Sequence, residues 1–358
     1  MSFPEPISVS ASEQIRTRGN IDLPSHPPSL PAHPSLPGHP TANPTTWKAY
    51  QTCLNLQNVA LSQKSLSALI RARILGYLII HAPSPAAQMF IAEEINRHAL
   101  ASVSTNDNID GLRSLASGLW KHVFYQFIVY PVELTTMEER ADFPADSSEA
   151  LALMRDHYQC FISGTACSHY NLFELRKPSV PRDIIDGMVV VTRIIPAIED
   201  TKITDIPGIT PLTVRQFLKS YGDVHIIKEM DALEDTRNLF SANDTIAFMF
   251  QKMDLWLIKD PNSSNPTTWS VKANNQLHLM CPVLPRVEYK PFVTSIFPPD
   301  PRYFRLHGII AHVGHLSGCT PEIYHRQVVW EEYVDGIVDY ENPEAKPILT
   351  AFEMADAD

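Results

Sequence analysis

Cysteine is scarce in this chain. There are five residues in 358, namely Cys53, Cys160, Cys167, Cys281 and Cys319. Their odd number and wide scatter exclude a disulfide framework and suit the reduced thiols of an intracellular protein, cytoplasmic or nuclear. Cys160 and Cys167 are too far apart for a CxxC knuckle and have no second pair to complete a ribbon, so Cys160 reads as a buried strand residue. Long apolar runs are also lacking. The longest, around Ile74–Ala82 and Val123–Val132, are too short to span a bilayer and read as core helices, so no membrane partner is expected. No N-terminal segment pairs a charged start with an apolar stretch, so secretion is not indicated. Positive charge is deficient too. The net charge is −11, and residues 151–260 carry 12 Lys+Arg against 15 Asp+Glu. A bulk electrostatic grip on nucleic acid is thereby excluded, although net charge leaves a local basic patch open.

What is present is enough apolar residue to build a core. Hydrophobic residues make up 44% and charged residues 19%, over a length that suits two or three domains or one large domain with additions. Residues 1–45 hold ten of the thirty prolines and no hydrophobic period, and read as a disordered tail of polyproline character. Its histidines, His26, His33 and His39, read as solvated rather than metal-binding. Residues 46–135 turn helical. Leu66, Leu69, Ile70, Ile74, Tyr77 and Leu78 fall near a 3.6-residue period, with Arg73 inside that face and obliged to reach solvent or a partner. Ser84 caps a second helix with Pro85 at its first position. Leu112, Leu115, Leu119, Val123 and Phe127 mark a third. No titratable cluster lies here, so a packing or dimerising bundle is expected.

Arg155-Asp156-His157-Tyr158-Gln159-Cys160-Phe161-Ile162-Ser163-Gly164 reads as a helix end, a short strand through Tyr158, Cys160 and Ile162, and a tight turn at Ser163-Gly164. Gly187–Pro196 reads as a second strand. Thr213–Tyr221 predicts a short helix, and Asp235–Phe240 leads into a helical run over about 242–253. Asp254–Leu257 and Gln276–Met280 predict short strands joined by a polar loop at 260–268. A last helix runs from Tyr303 to about His315, and the segment from Val334 on is acidic. No internal repeat is read.

In order and spacing, Arg155-Asp156-x-Tyr158-x-Cys160-x-x-x-Gly164, then Ile194-Ile195-Pro196, then Arg237-Asn238-Leu239 before a helix, resembles the HNH nuclease module of many fungal proteins. The flanks Gly76-Tyr77-Leu78-Ile79-Ile80-His81-Ala82-Pro83 and His315-Leu316-Ser317-Gly318 are similar as well, so the resemblance covers roughly residues 46–330. It implies an α+β fold: a helical N-terminal region (46–135) after the Pro-rich tail (1–45), a ββα-metal module (150–290), a C-terminal helical segment (291–333) and an acidic tail (334–358).

The family design grips one divalent metal. A histidine before Ile-x-Pro activates water, an asparagine ties the hairpin together, and a histidine on the following helix binds the metal. Here Asn238 matches the asparagine. The base position holds Arg193, which stays protonated and cannot accept a proton from water. The ligand position falls on Ala247, or on Ile246 if the register slips by one, and no histidine lies between His225 and His278. Two of the three chemical groups are therefore gone, and a pseudoenzyme with a scaffold or binding role is expected, with no cofactor. The alternative is an active metal-dependent DNA endonuclease whose Mg²⁺, Mn²⁺, Ni²⁺ or Zn²⁺ is held by relocated ligands. Asp244, one turn from Ala247, is the weak candidate for that role, and Glu199, Asp200 and His225 are the other groups the module offers.

Two partner classes follow. Nucleic acid could meet an arginine patch at Arg193 and Arg237, although pairing of these with Glu199 or Asp235 competes. Protein could meet the N-terminal helices. His307, His312, His315, Cys319 and His325 crowd the C-terminal segment, and His312, His315 and Cys319 have a spacing that could hold zinc. Core or capping histidines are the favoured reading there. Ser163, Ser168 and Ser317 stand in no Ser-His-Asp order.

Overall fold

Side-chain caps set the helical boundaries. In the computed structural model, which describes residues 29–32, 43–101, 110–129, 147–167, 186–187, 189–198, 200–224, 235–260, 262–265, 267–273 and 285–319, helix α1 (Pro44–Gln63) starts where the Asn43 side chain accepts from Thr46 N, with Pro44 in the first turn. Helix α2 (Leu66–Ile80) is capped by Ser65. Helix α3 (Pro85–Ala101) begins as its sequence dictates, with Ser84 Oγ accepting from Ala87 N at 3.1 Å. The third expected helix is broken in type but not in course: α4 (Asp110–Leu119) passes through a π-helical turn at Trp120–Phe124 into α5 (Tyr125–Val129). Helices α1, α2, α3 and α4 pack on one another. Arg73 does not reach solvent from this layer. It is buried, and its guanidinium donates to Gln57 Oε1 and Ser29 Oγ, both at 3.3 Å.

The rest of the chain is mixed α and β, with small, mostly antiparallel sheets. Helix α6 (Ser148–Arg155) is followed by β1 (Ala166–Cys167), which pairs in parallel with β2 (Asp186–Gly187). Strand β3 (Val189–Arg193) pairs antiparallel with β4 (Leu239–Asn243), Val189 facing Asn243 and Arg193 facing Leu239. Between them lies helix α7 (Val214–Ser220), closed at its start by a capping box of Thr213 and Gln216. Strand β4 runs straight into helix α8 (Asp244–Gln251), which packs on β3, β4 and the following strand. A second sheet has the order β5 (Leu255–Lys259), β6 (Thr268–Ala273), β7 (Arg286–Glu288). Helix α9 (Pro301–Ser317) lies against both β5 and α2 and so joins the helical layer to the sheets. One continuous hydrophobic core runs from Leu30 to Cys319, across the boundaries at 135, 150 and 291.

Several elements differ from expectation. Tyr158–Ile162 is not a strand. His157 and Tyr158 both adopt left-handed backbone, with φ 55° and 54°, and the chain folds back on the helix end, Tyr158 N donating to Leu153 O at 2.8 Å. Alternate burial of Cys160 and Ile162 here comes from a compact turn, in which Cys160 N reaches Thr165 O and Gly164 N reaches Cys160 O. Gly164 itself has the expected positive φ of 74°. Residues 239–243 form a strand before α8 begins, because β-branched β3 offers them a ladder partner. The partner of β5 is Thr268–Ala273, while Gln276–Met280 lies outside the described residues. The expectation of a tail without fixed structure does not hold for residues 29–32. Leu30 is only 4% exposed and belongs to the core, a burial worth roughly 1.5–3 kcal/mol. Among the described residues, no helix is long and apolar enough to cross a membrane.

Candidate functional site

The β3–β4–α8 unit places the residues singled out by sequence. Asn238 ends a 3₁₀ turn (Thr236–Asn238) at the threshold of β4 and is fully buried. Its side chain clasps the backbone of one residue beyond β3: Oδ1 accepts from Ile195 N and Nδ2 donates to Ile195 O, each at 2.9 Å. The Asn238 carbonyl also accepts from Ile194 N at 2.9 Å. These bonds continue the β3–β4 ladder past its last strand pair and pin Ile194-Ile195-Pro196 to the foot of β4. An isosteric leucine would leave both Ile195 groups buried and unpaired.

Arg193 closes β3. Its side chain is 42% exposed and its guanidinium lies 4.0 Å from Glu149 Oε1, in the first turn of α6. Glu199, the partner weighed from sequence, lies outside the described residues. Arg237 does take the expected partner: its guanidinium donates through Nε and Nη2 to Asp235 Oδ2 and stands over the Phe297 ring at 5.6 Å. That side-chain hydrogen bond raises the Arg237 pKa further, and Asp235 is held low by the same contact against the opposing effect of burial. The two arginines are engaged with separate carboxylates.

Ala247 sits one turn into α8 and is fully buried, as is Ile246. Asp244 occupies the first position of α8, where its Oδ1 accepts from Thr245 N at 2.7 Å, a helix-start contact favoured by the dipole. Asp200 pairs with Arg215 at 3.1 Å, and His225 lies outside the described residues. A divalent metal does not fit this set. Arg193 carries an ion-paired guanidinium, Ala247 a buried methyl, and Asp244, among the described residues, belongs to no group of metal-ligating side chains. Among the described residues no group of three or more His, Cys, Asp or Glu is placed to hold a metal ion.

Beneath the unit lies a buried charge network that sequence reading reduced to a helix-end pair. Arg155 is fully buried and clasps the carboxylate of its neighbour, Nε to Asp156 Oδ1 at 2.8 Å and Nη2 to Oδ2 at 3.0 Å. Its remaining N–H groups donate to the carbonyls of Thr236, Leu239 and Phe297 at 2.7, 2.8 and 2.9 Å. Asp156 in turn accepts from Ser241 N at 2.8 Å and from the Tyr289 hydroxyl. A charge this deep persists when all its donors and acceptors are met, as here. Burial and the neighbouring Asp156 carboxylate both push the Tyr289 hydroxyl pKa up, so it stays protonated as the donor. The Arg-Asp dipeptide was visible in the sequence. Tyr289 and Ser241 carried no signal, since they lie 133 and 85 residues away.

Of the C-terminal histidines, His307 is buried in the core, His312 and His315 are half-buried against it, and His325 lies outside the described residues. His307 stacks on Phe250, with ring centroids 3.7 Å apart, and its Nε2–H donates to Phe250 O at 3.0 Å. His315 stacks on Trp256 and donates through Nε2 to Met253 O at 2.8 Å. His312 meets His81 edge to face at 4.7 Å. Burial lowers the pKa of His307 to about 3 and that of His312 and of His81 to about 4. Cys319 is buried and its thiol pKa is raised by desolvation. No family model, no curated protein and no solved structure matches this chain.

Proposed function

We propose that this chain is an HNH-nuclease-like protein without nuclease activity, which has kept the ββα unit as a scaffold or binding platform. One observation carries the reading. Asn238 makes the structural clasp that the family assigns to its asparagine, while the positions of the base and the metal ligand are filled by Arg193 and by the buried Ala247. The clasp serves packing and survives on its own account. Hydrolysis of a phosphodiester needs a base that can take a proton and a ligand set on one face, and these two side chains supply neither.

A nucleic-acid-binding role draws little support from the charge layout. Arg193, Arg215, Arg237, Arg286 and Arg302 each lie beside a carboxylate, from Glu149, Asp200, Asp235, Asp260 and Asp300 respectively. A guanidinium already neutralised releases few counterions from a phosphate backbone. Protein contact through the N-terminal helical layer is the partner class we favour.

The test is plasmid nicking with Mg²⁺, Mn²⁺, Ni²⁺ or Zn²⁺, alongside calorimetry for metal binding. No nicking and no metal binding is the expected result. Metal-dependent nicking that Asn238→Ala abolishes would overturn the proposal in favour of an active endonuclease with relocated ligands. A gel shift at low salt, where electrostatic binding is strongest, separates the binding roles, and no shift is expected.

A further inference from the structure

The Pro-rich segment contains a short repeat, far below domain size. Pro28-Ser29-Leu30-Pro31-Ala32-His33 is followed at once by Pro34-Ser35-Leu36-Pro37-Gly38-His39, differing only at Ala32/Gly38. Residues 29–32 of the first copy are seated in a groove between α1 and α2. Leu30 is buried there, and its backbone is read on both sides: Leu30 N donates to Gln57 Oε1 at 2.9 Å, Tyr77 Oη donates to Ser29 O at 3.2 Å, and Tyr50 Oη donates to Pro31 O at 2.7 Å. Arg73 adds a bond to Ser29 Oγ at 3.3 Å and braces Gln57. The floor is Gly76. A Cβ on it would come within 2.5 Å of Leu30 Cδ1, so this position must lack a side chain for the leucine to enter. A pocket for one leucine, flanked by donors aimed at the carbonyls before and after it, is how a groove recognises an extended Pro-rich peptide.

We propose that this groove is a binding site for the peptide Pro-Ser-Leu-Pro and that its second ligand is the chain's own Pro34-Ser35-Leu36-Pro37, which exchanges with the first copy in cis. Both the chemistry and the reach permit it. Every group the groove reads in the first copy recurs six residues later. Pro31 lies at Tyr50, seven residues into the chain after Asn43, or about 10 Å along the helix at 1.5 Å per residue. From Pro37 back to Asn43 is six residues, which extend to about 20 Å. The seated segment thus has two alternative registers, and occupancy of one leaves the other copy as a ligand of the same chemistry.

Thermal melts of the full chain test the exchange. Leu30→Ala and Leu36→Ala are each expected to melt close to the parent, because the intact copy takes the groove. Leu30→Ala/Leu36→Ala is expected to fall by about 5 °C or more, well beyond the sum of the singles. A Leu30→Ala melt as low as that of the double variant overturns the proposal. Rescue that depends on protein concentration and comes with a dimer in analytical ultracentrifugation overturns the assignment in cis. A second measurement does not rely on stability. A labelled synthetic peptide of residues 33–40 is expected to bind the Leu30→Asp/Leu36→Asp chain saturably, at least about tenfold more tightly than the same peptide with Leu36→Asp. It is also expected to lose binding when Gly76→Val fills the pocket. No saturable binding to the folded double variant, or binding indifferent to Gly76→Val, rejects the groove as the site.

Discussion

Asn238 and Ile195, 43 residues apart, share a closed pair of hydrogen bonds in which one side-chain amide satisfies both polar groups of a buried backbone position. Replacing Asn238 by Ala strands Ile195 N and O without water, and each such group costs about 1–3 kcal/mol. Asn238→Ala is therefore expected to lower the unfolding free energy by about 2–6 kcal/mol by the same accounting, with Asn238→Asp no better, because a carboxylate cannot donate to Ile195 O. Urea unfolding followed by circular dichroism measures both. An alanine variant within half a kcal/mol of the parent would mean that the clasp is dispensable.

The Arg155–Asp156 network makes a prediction about non-additivity. Arg155→Met leaves a carboxylate buried with only the Ser241 and Tyr289 donors, and breaking one side of a buried pair costs about 3–5 kcal/mol. Asp156→Asn strands the guanidinium in the same way. Arg155→Met/Asp156→Asn removes both charges together, so its loss of stability should be clearly smaller than the sum of the single losses. Strict additivity in chemical denaturation would show that the two charges do not depend on each other.

The helical layer was legible because caps and apolar period are local. Ser84 and Pro85 announced α3, and Ser147, Thr213 and Asp300 likewise accept from the N–H groups at the helix starts beside them. The strands were harder. Cys160 and Ile162 alternate in burial as strand residues do, yet they sit in a turn, and only the left-handed His157 and Tyr158 reveal it. Strand β4 merged by pattern with α8, since Leu239–Asn243 owes its form to pairing with β3 across a loop that no local window spans. At the candidate site, Asn238, Arg193 and Ala247 were singled out by the family resemblance. Glu149, Tyr289 and the seat of Leu30 were not, because each depends on a contact distant in sequence.

Arg193 and Ala247 occupy opposite environments, so their replacement by histidine should differ. Arg193 is well exposed and its contact with Glu149 is long, so Arg193→His is expected to change stability by no more than about 0.5 kcal/mol. Ala247→His forces an imidazole into a filled core and should cost about 1–3 kcal/mol. If Ala247 marks the ligand position, Ni²⁺ or Zn²⁺ should recover part of that cost in Arg193→His/Ala247→His but leave the parent's melting temperature unchanged. Recovery in the Ile246→His equivalent alone would shift the register by one residue.

His307 sets a pH dependence whose sign follows from its burial. Desolvation holds its folded pKa at about 3, against 6.5 for an ordinary histidine. Between those values the unfolded chain binds the proton and the folded chain does not, so protonation favours unfolding. The contribution of His307 is complete above pH 6.5 and is lost progressively as pH falls toward 3, below which it changes no further. At pH 5 the loss is about 2 kcal/mol, from 1.36 kcal/mol per unit over about 1.5 units. His81 and His312, whose rings touch, act in the same direction down to about pH 4. His307→Gln keeps a donor for Phe250 O but cannot titrate. The variant should lose packing at pH 7.5 yet lose about 2 kcal/mol less than the parent on going to pH 5, because the titrating proton is gone. Urea unfolding at the two pH values provides the comparison, and an unchanged pH response would assign the acid sensitivity to other groups.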